Sequence, residues 1–528
     1  MAFKTIHYIL KVSMKKWNIL YENCQLPIRI ACIGFVMMAF GFLIQNDSVN
    51  IFYTFSNTYL LIIAELSLKC GEVIIRLLPL FFLSNLCAKR ANSGVPIAIG
   101  LIGYLIYQSV TMVFSTDPYP AQCFTTLFGI SFDATSLPIS TTGVRYPLDT
   151  GLFGAFIVGL ATRYSYIRSR NRSSYSLFGL LNKDTVAAIY NILICGLLGF
   201  ATACMYPMLY SFLSAGITRI AANLNDPSNM ALYGILDRTL SMAGLPNLIR
   251  TPFWFGSQGG TYQSIAGQNI VGDVNIWSYI TEASGTYAGC GRFITPYYAI
   301  NIFILPAIYL GLFFSITDIA ERRRKILFLI GATAVTIAAG NPLPLEYLLL
   351  FTSPLLLVVY LLVVAAVFAF MSSRGVYLGF SFSGTDTRVA LPGSFPDYII
   401  NIRNPMLYDT VMAILVIGLV AALVMFAATV IYYRYLSFDL AKSGKTDTFT
   451  ESLFNAVGGK ENVIGASSSL FRLNLRLKDL EAVDFDKISE IGARRLTETR
   501  EGISLDLGSS STYLSRVINQ KLKKMIRE

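Results

Sequence analysis

The 528-residue chain has a single histidine, His7, only three tryptophans, and no cysteine beyond Cys290. One histidine excludes every zinc site built on a histidine pair. The eight cysteines stand singly in apolar stretches, without metal-ligand spacing, and read as buried small hydrophobes rather than a disulfide framework. No metal ion and no cofactor is expected. Charge is scarce as well: Asp, Glu, Lys and Arg make up 14% of the chain, against about 25% in soluble proteins. The shortage is uneven, because Ser443–Glu528 carries 26 of the 73 charges in its 86 residues. The 47 that remain cannot cover a soluble surface built from the other 442 residues. An ordinary soluble enzyme is thereby excluded. What is present instead is apolar: 54% of residues are hydrophobic and the mean hydropathy is +0.56. These figures describe a polytopic α-helical membrane domain followed by a small soluble one.

Residues 1–22 lack the apolar core and small-residue cleavage site of a signal peptide. Phe3, Ile6, Leu10, Trp17 and Leu20 fall near helical spacing and Lys4, Lys11, Lys15 and Lys16 stay polar, which predicts an amphipathic helix on an anionic lipid surface. Spanning candidates follow at Leu26–Ile44, Val95–Val113, Gly151–Tyr166, Val186–Leu213, Ala299–Ile316, Ile326–Ala339, Leu345–Met371 and Thr410–Tyr433. Two weaker ones, Cys70–Leu86 and Ala231–Leu248, bring the expected number of crossings to about 8–10. The basic clusters Arg163–Arg172 and Glu321–Lys325 flank apolar runs, so both loops and the lysine-rich start are expected on the cytoplasmic side. They also account for the net charge of +11, and no nucleic-acid partner is implied. Both termini are then cytoplasmic, which requires an even number of crossings.

Gly and Pro recur within Gly244–Gly272 and Gly340–Pro354. Irregular backbone at membrane depth survives where it lines a cavity or is buried in protein, so this pair of broken segments points to a solute site midway across the membrane. The tail has a different pattern. Thr448–Val457 reads as a helix, Gly458-Gly459-Lys460-Glu461-Asn462 as a turn, Leu470–Leu477 as an alternating strand, Phe485–Ala493 as a helix, Gly502–Leu507 as extended and Ser510–Met525 as a basic helix. The expected organisation is an interfacial helix over 1–22, a membrane domain over 23–440, a linker over 441–447 and an α+β domain over 448–528.

Several motifs carry a resemblance. They are Leu78-Pro79-Leu80-Phe81-Phe82, Gly154-Ala155-Phe156-Ile157-Val158-Gly159-Leu160, Asp237-Arg238 followed by Gly244-Leu245, and Thr251-Pro252-Phe253-Trp254-Phe255. Gly291-Arg292-Phe293, Leu345-Glu346-Tyr347, Ser353-Pro354-Leu355 and Gly379-Phe380-Ser381-Phe382 follow, with the glycine turn at Gly458 in the tail. In order and spacing the chain resembles a glucose-family enzyme II of the bacterial phosphoenolpyruvate-dependent sugar phosphotransferase system, a membrane IIC domain fused to a IIB domain. The resemblance implies a homodimer in the bacterial inner membrane, a sugar or sugar-like solute, contact with membrane lipid, and a IIA-type or other cytosolic protein docking on the IIB-like domain. It also implies protein-phosphohistidine-sugar phosphotransferase activity, with a IIB cysteine relaying the phosphoryl group.

The chain departs from that pattern where the chemistry would lie. Ser469 occupies the phosphocysteine position, flanked by Arg472 and Asp479, and a serine hydroxyl needs an adjacent base that the tail does not provide. Leu343 stands where the family places a glutamate, and Pro246-Asn247 replaces its histidine pair; Leu343 can neither accept a proton nor bind a hydroxyl. The substrate-binding candidates are Arg238, Asn247, Arg250, Glu346 and Arg29. Arg238 is balanced against an ion pair with Asp237 or Glu346, and Arg29 against snorkelling to the headgroups. Three functions remain open: a permease descendant that binds or moves a solute without phosphorylating it, a non-transporting sensor, and a permease phosphorylated by a donor in trans.

Overall fold

A computed structural model describes residues 26–45, 57–88, 94–115, 119–125, 132–133, 144–170, 182–264, 267–283, 289–316, 319–382, 386–402, 404–433, 446–468, 472–490, 496–499, 501–507 and 510–525. The helix expected over 1–22, most of the 441–447 linker and Ser469 lie outside the described residues. The helices up to the tail are α1 Leu26–Gln45, α2 Thr58–Arg76, α3 Leu78–Ala88, α4 Val95–Phe114, α5 Gly151–Arg170, α6 Lys183–Ala222, α7 Pro227–Met242, α8 Asn247–Trp254 and α9 Asp273–Ala283. They continue with α10 Thr295–Ser315, α11 Ile319–Ala339, α12 Leu343–Thr352, α13 Pro354–Ser373, α14 Phe395–Ile402 and α15 Tyr408–Ile431. Among the described residues six helices, α1, α4, α6, α10, α13 and α15, are long and apolar enough to cross a membrane, and Leu78–Ala88 and Ile330–Ala339 are shorter apolar segments.

The chain divides into two compact units, one of 22–297 with 364–414 and one of 298–363 with 415–528. In the first unit α3, α4, α5 and α6 pack around Leu83, Cys87, Tyr104, Tyr107, Ala155, Val158 and Cys195. Small residues set the spacing, as between helices that lack a hydrophobic drive to associate in lipid. A Cβ on Gly103 would fall 2.3 Å from Nδ2 of Asn191, and that Nδ2 donates to the Ile99 carbonyl at 2.9 Å. A buried amide thus ties α4 to α6 where a glycine lets them approach. α6 is a single helix of 40 residues containing Pro207, started by Asn182, whose side chain accepts from the Thr185 N–H at 2.8 Å.

In the second unit α10 contains a π turn over Ile300–Ile304, where Asn301 donates from Nδ2 to the Gly340 carbonyl at 2.8 Å. The run Leu345–Met371, expected as one crossing, is two helices parted at Ser353. Pro354 has no N–H with which to continue α12, and Ser353 leaves helical geometry just before it. The Ser353 and Tyr433 hydroxyls lie 2.6 Å apart at this break.

The tail comprises α16 Thr446–Ala456, β5 Val463–Ser468, β6 Arg472–Leu477, α17 Phe485–Glu490, β7 Leu496–Thr499, β8 Gly502–Asp506 and α18 Ser510–Met525, after the short strands β1 Phe132–Asp133, β2 Val144–Arg145, β3 Thr261–Gln263 and β4 Asn269–Val271. Its sheet is antiparallel in the order β5-β6-β8-β7. Leu473, Leu475 and Leu477 alternate inward from β6 and meet Ile503 and Leu505 of β8, with Phe454, Leu514 and Ile518 from the helices. Asn519 fixes α18 to the sheet by donating to the Ala466 carbonyl at 2.6 Å and accepting from its N–H at 3.0 Å. Strands β5 and β7 carry no expectation from the sequence.

Candidate substrate-binding site

The first broken segment is built on α7 and α8. Asp226 caps α7 through the Ser228 N–H at 2.9 Å, and Pro227 occupies its first turn. The helix ends at Gly244, whose φ of 77° is open to glycine. The turn rests on the start of α5: Leu152 donates to the Ala243 carbonyl at 2.9 Å, and a Cβ on Gly151 would meet that oxygen at 2.4 Å. The reversal places Asp237 and Ser241, one turn apart on α7, opposite Arg250 and Trp254, one turn apart on α8.

Asp237 is the centre of this arrangement and is fully buried. Its Oδ2 accepts from Arg238 Nε at 2.9 Å and Nη2 at 2.7 Å, and from the Tyr297 hydroxyl. Its Oδ1 accepts from Arg250 Nε at 2.7 Å. Both arginines donate to the Ser241 hydroxyl, Arg250 at 3.0 Å and Arg238 at 3.3 Å. Aromatic faces complete the enclosure: the Arg238 guanidinium lies 4.9 Å from the Tyr297 ring centre and that of Arg250 5.1 Å from Trp254. Trp254 donates in turn to the Tyr233 hydroxyl at 3.1 Å. Buried guanidiniums are tolerated because each N–H set finds a carboxylate, hydroxyl or carbonyl.

A second polar group adjoins the first through Asp386-Thr387-Arg388. Arg250 Nη1 donates to the Thr387 carbonyl at 3.1 Å. Asn247 Oδ1 accepts from the Thr387 N–H at 2.8 Å and its hydroxyl at 2.6 Å, while Nδ2 donates to Asp386 at 3.2 Å. Arg388 pairs with Asp386 at 2.9 Å and with the buried Asp149 at 3.5 Å, and Arg76 reaches Asp386 at 3.5 Å. Asp149 also accepts from the Gly151 N–H at 3.0 Å, so the α5 start is part of the same network.

Of the candidates read from the sequence, the structure brings Arg238 and Arg250 together on Asp237 and sets Asn247 beside them. Arg238 makes the ion pair with Asp237 that was weighed for it. Asn247 spends its amide on the 386–387 segment. Glu346 lies buried in the second unit and accepts from the Tyr360 hydroxyl at 2.7 Å. Arg29 is exposed in the first turn of α1, apart from this network. Leu343 is the first residue of α12, its N–H donating to Asn341 at 3.0 Å. Arg472 is exposed at the start of β6, and the Asp479 N–H donates to the Asn462 side-chain oxygen at 2.8 Å while its carbonyl accepts from the Asn462 Nδ2 at 2.7 Å. Sequence reasoning missed Ser241, Tyr297, Asp149, Arg76 and the 386–388 segment; the one local signal was a charged triplet, Asp-Thr-Arg, in a chain poor in charge. Among the described residues there is no group of three acidic, cysteine or histidine side chains able to hold a metal ion.

Residues 25–365 match the family described as Phosphotransferase system, EIIC. Over 522 residues the chain is 24% identical to the PTS system glucoside-specific EIICBA component of Staphylococcus carnosus (strain TM300), an overlap of 94% of this chain and 71% of that protein. Among solved structures it is similar to the transporter ChbC, the IIC component of the N,N'-diacetylchitobiose-specific phosphotransferase system, at 12% identity over 84% of this chain and 98% of that one. The TM-score is 0.28, too low to carry an argument.

Proposed function

The chain belongs to the phosphotransferase system EIIC family, and from that premise we propose that it binds and moves a glucoside-like sugar without phosphorylating it. It is a multi-pass inner-membrane sugar permease of that system. The observation that carries the proposal is Leu343: an alkyl side chain opens α12 where the family pattern has a carboxylate, beside a lysine- and histidine-free helix. An alkyl group gives a sugar hydroxyl no acceptor for its proton. Asp237, the acid of the first broken segment, already accepts from two guanidiniums and a phenol, which favour its ionised form and compete with any substrate hydroxyl for it. Polar side chains with stacked aromatics, here Arg238, Arg250, Trp254 and Tyr297, are the groups that recognise hydroxyls and sugar faces. The glucoside class is taken from the name of the Staphylococcus relative.

The tail favours a second reading, a non-transporting sensor. It keeps a packed core and a braced turn, while nothing after Cys290 is cysteine or histidine. In that reading the IIB-like domain docks a IIA-type or other cytosolic protein and relays no phosphoryl group.

The test is to reconstitute the full chain in proteoliposomes and measure counterflow of labelled methyl β-glucoside. In parallel, the chain and Ser469→Cys are incubated with the general phosphotransferase proteins, a IIA donor and labelled phosphoenolpyruvate. Counterflow without a labelled sugar phosphate is the expected result. A sugar phosphate formed by the native chain overturns the proposal, and binding without counterflow transfers it to the sensor.

A further inference from the structure

The segment Asp386-Thr387-Arg388 has an unusual relation to the two α8 side chains assigned to the solute. Thr387 is fully buried. Its N–H and hydroxyl both go to Asn247 Oδ1, at 2.8 and 2.6 Å, and its carbonyl takes Arg250 Nη1 at 3.1 Å. One residue therefore offers Asn247 and Arg250 a hydroxyl, a donor and an acceptor, the same set that neighbouring hydroxyls of a sugar ring present. On either side of it stand ion-pair pegs: Arg388 to Asp149, next to α5, and Asp386 to Arg76, at the end of α2. All these groups belong to one compact unit.

We propose that Asp386-Thr387-Arg388 is an internal competitor, a strap whose Thr387 occupies the hydroxyl-recognising groups Asn247 and Arg250 until a polyhydroxylated solute takes its place. The inference rests on the sugar-binding reading given above. Exchange is favoured over simple opening: withdrawing Thr387 alone costs the half-buried Asn247 amide oxygen two bonds and a buried Arg250 N–H its carbonyl, whereas a solute hydroxyl replaces each bond lost. The pegs set how often the strap is away, and apparent affinity scales with that fraction. Arg388, which reaches the buried Asp149, is the stronger peg. Arg76, whose side chain is 46% exposed, is the weaker.

The experiment uses the full chain in detergent, with Arg388→Gln and Arg76→Gln. Amide hydrogen exchange is followed in the peptide spanning residues 386–390, and binding of methyl β-glucoside is measured by calorimetry. Arg76→Gln removes a half-exposed arginine and leaves Asp386 paired with Arg388, so it stays folded even if Arg388→Gln, which strands Asp149, does not. The expected result is faster exchange of that peptide in both variants and in the native chain with glucoside. The glucoside dissociation constant should fall about threefold for Arg76→Gln and about tenfold for Arg388→Gln. Exchange that does not quicken in Arg76→Gln overturns the strap whatever the sugar result. Quicker exchange with unchanged or weaker binding overturns the competition and leaves the sugar reading standing. No binding by the native chain or either variant overturns both.

Discussion

The Asp237 centre and the tail sheet solve the same problem, holding a buried region in one arrangement, by opposite means. In the tail the work is mainly hydrophobic: Leu473, Leu475, Ile503, Leu505 and Ile518 leave water together, and volume-conserving apolar exchanges among them cost little. Around Asp237 the buried groups are charged, and each has a named partner at a set distance. In lipid, apolar burial does not favour one helix packing over another, so polar ties do the specifying. The tail tolerates variation in contacts; the membrane unit tolerates little variation in identity.

The largest break in this comparison should come from Asp237→Ala. It leaves Arg238 and Arg250 without their shared carboxylate, at a cost of about 3–5 kcal/mol, and the full chain should lose its monodisperse peak in detergent or melt far below the native protein. A variant with native melting would show that the centre is not what holds α7 to α8. Next is Leu473→Ala, at about 2–5 kcal/mol. Its effect should be confined to the tail: proteolysis between residues 446 and 525 accelerates while the membrane helices keep their melting temperature. Joint melting of both regions would refute the contrast. Asn462→Ala is smaller, about 1–3 kcal/mol, because Asn462 donates to the Val457 and Asp479 carbonyls at 2.7 Å and accepts from the Asp479 N–H. Hydrogen exchange in residues 457–462 and 478–480 should rise without change in the sheet. The least effect belongs to Asp484, which caps α17. Hydrogen bonding and pairing with Lys487 hold its carboxyl below the usual range. A lowered native value means stabilisation present at neutral pH and lost as pH falls below about 4. Exchange in residues 485–490 should therefore quicken at acid pH, and Asp484→Asn should remove that pH dependence.

What the sequence disclosed follows the same division. β6 was legible because Leu473, Leu475 and Leu477 alternate with Arg472, Asn474 and Arg476. β5 was not, since Val-Ile-Gly-Ala-Ser-Ser has small residues in place of alternation and a register irregularity near Gly465. β7, Leu-Thr-Glu-Thr, is a mostly exposed edge strand with little apolar signal. The spanning helices announced themselves by length, yet the break at Ser353 hid inside a continuous apolar run where Pro354 was the single cue. Arg238, Asn247 and Arg250 stood out as polar residues in the broken segment. Their partners did not: Thr387 lies 137 residues from Arg250 and 140 from Asn247, and no local periodicity records such a pairing.

The forty residues of α6 have a consequence for the lipid around them. At 1.5 Å per residue the helix is about 60 Å long, twice the hydrocarbon thickness of about 30 Å. Even tilted by about 40°, the upper end of what membrane helices show, it rises roughly 46 Å, the full depth of a bilayer with its headgroups. Met208, Leu209 and Phe212, just past Pro207, are exposed on this helix. Such a helix is a gauge as well as a wall: thickening or thinning the bilayer changes how much of α6 is wetted, and so biases its angle. Lipid chain length then limits the angles at which so long a rod can lie in the bilayer.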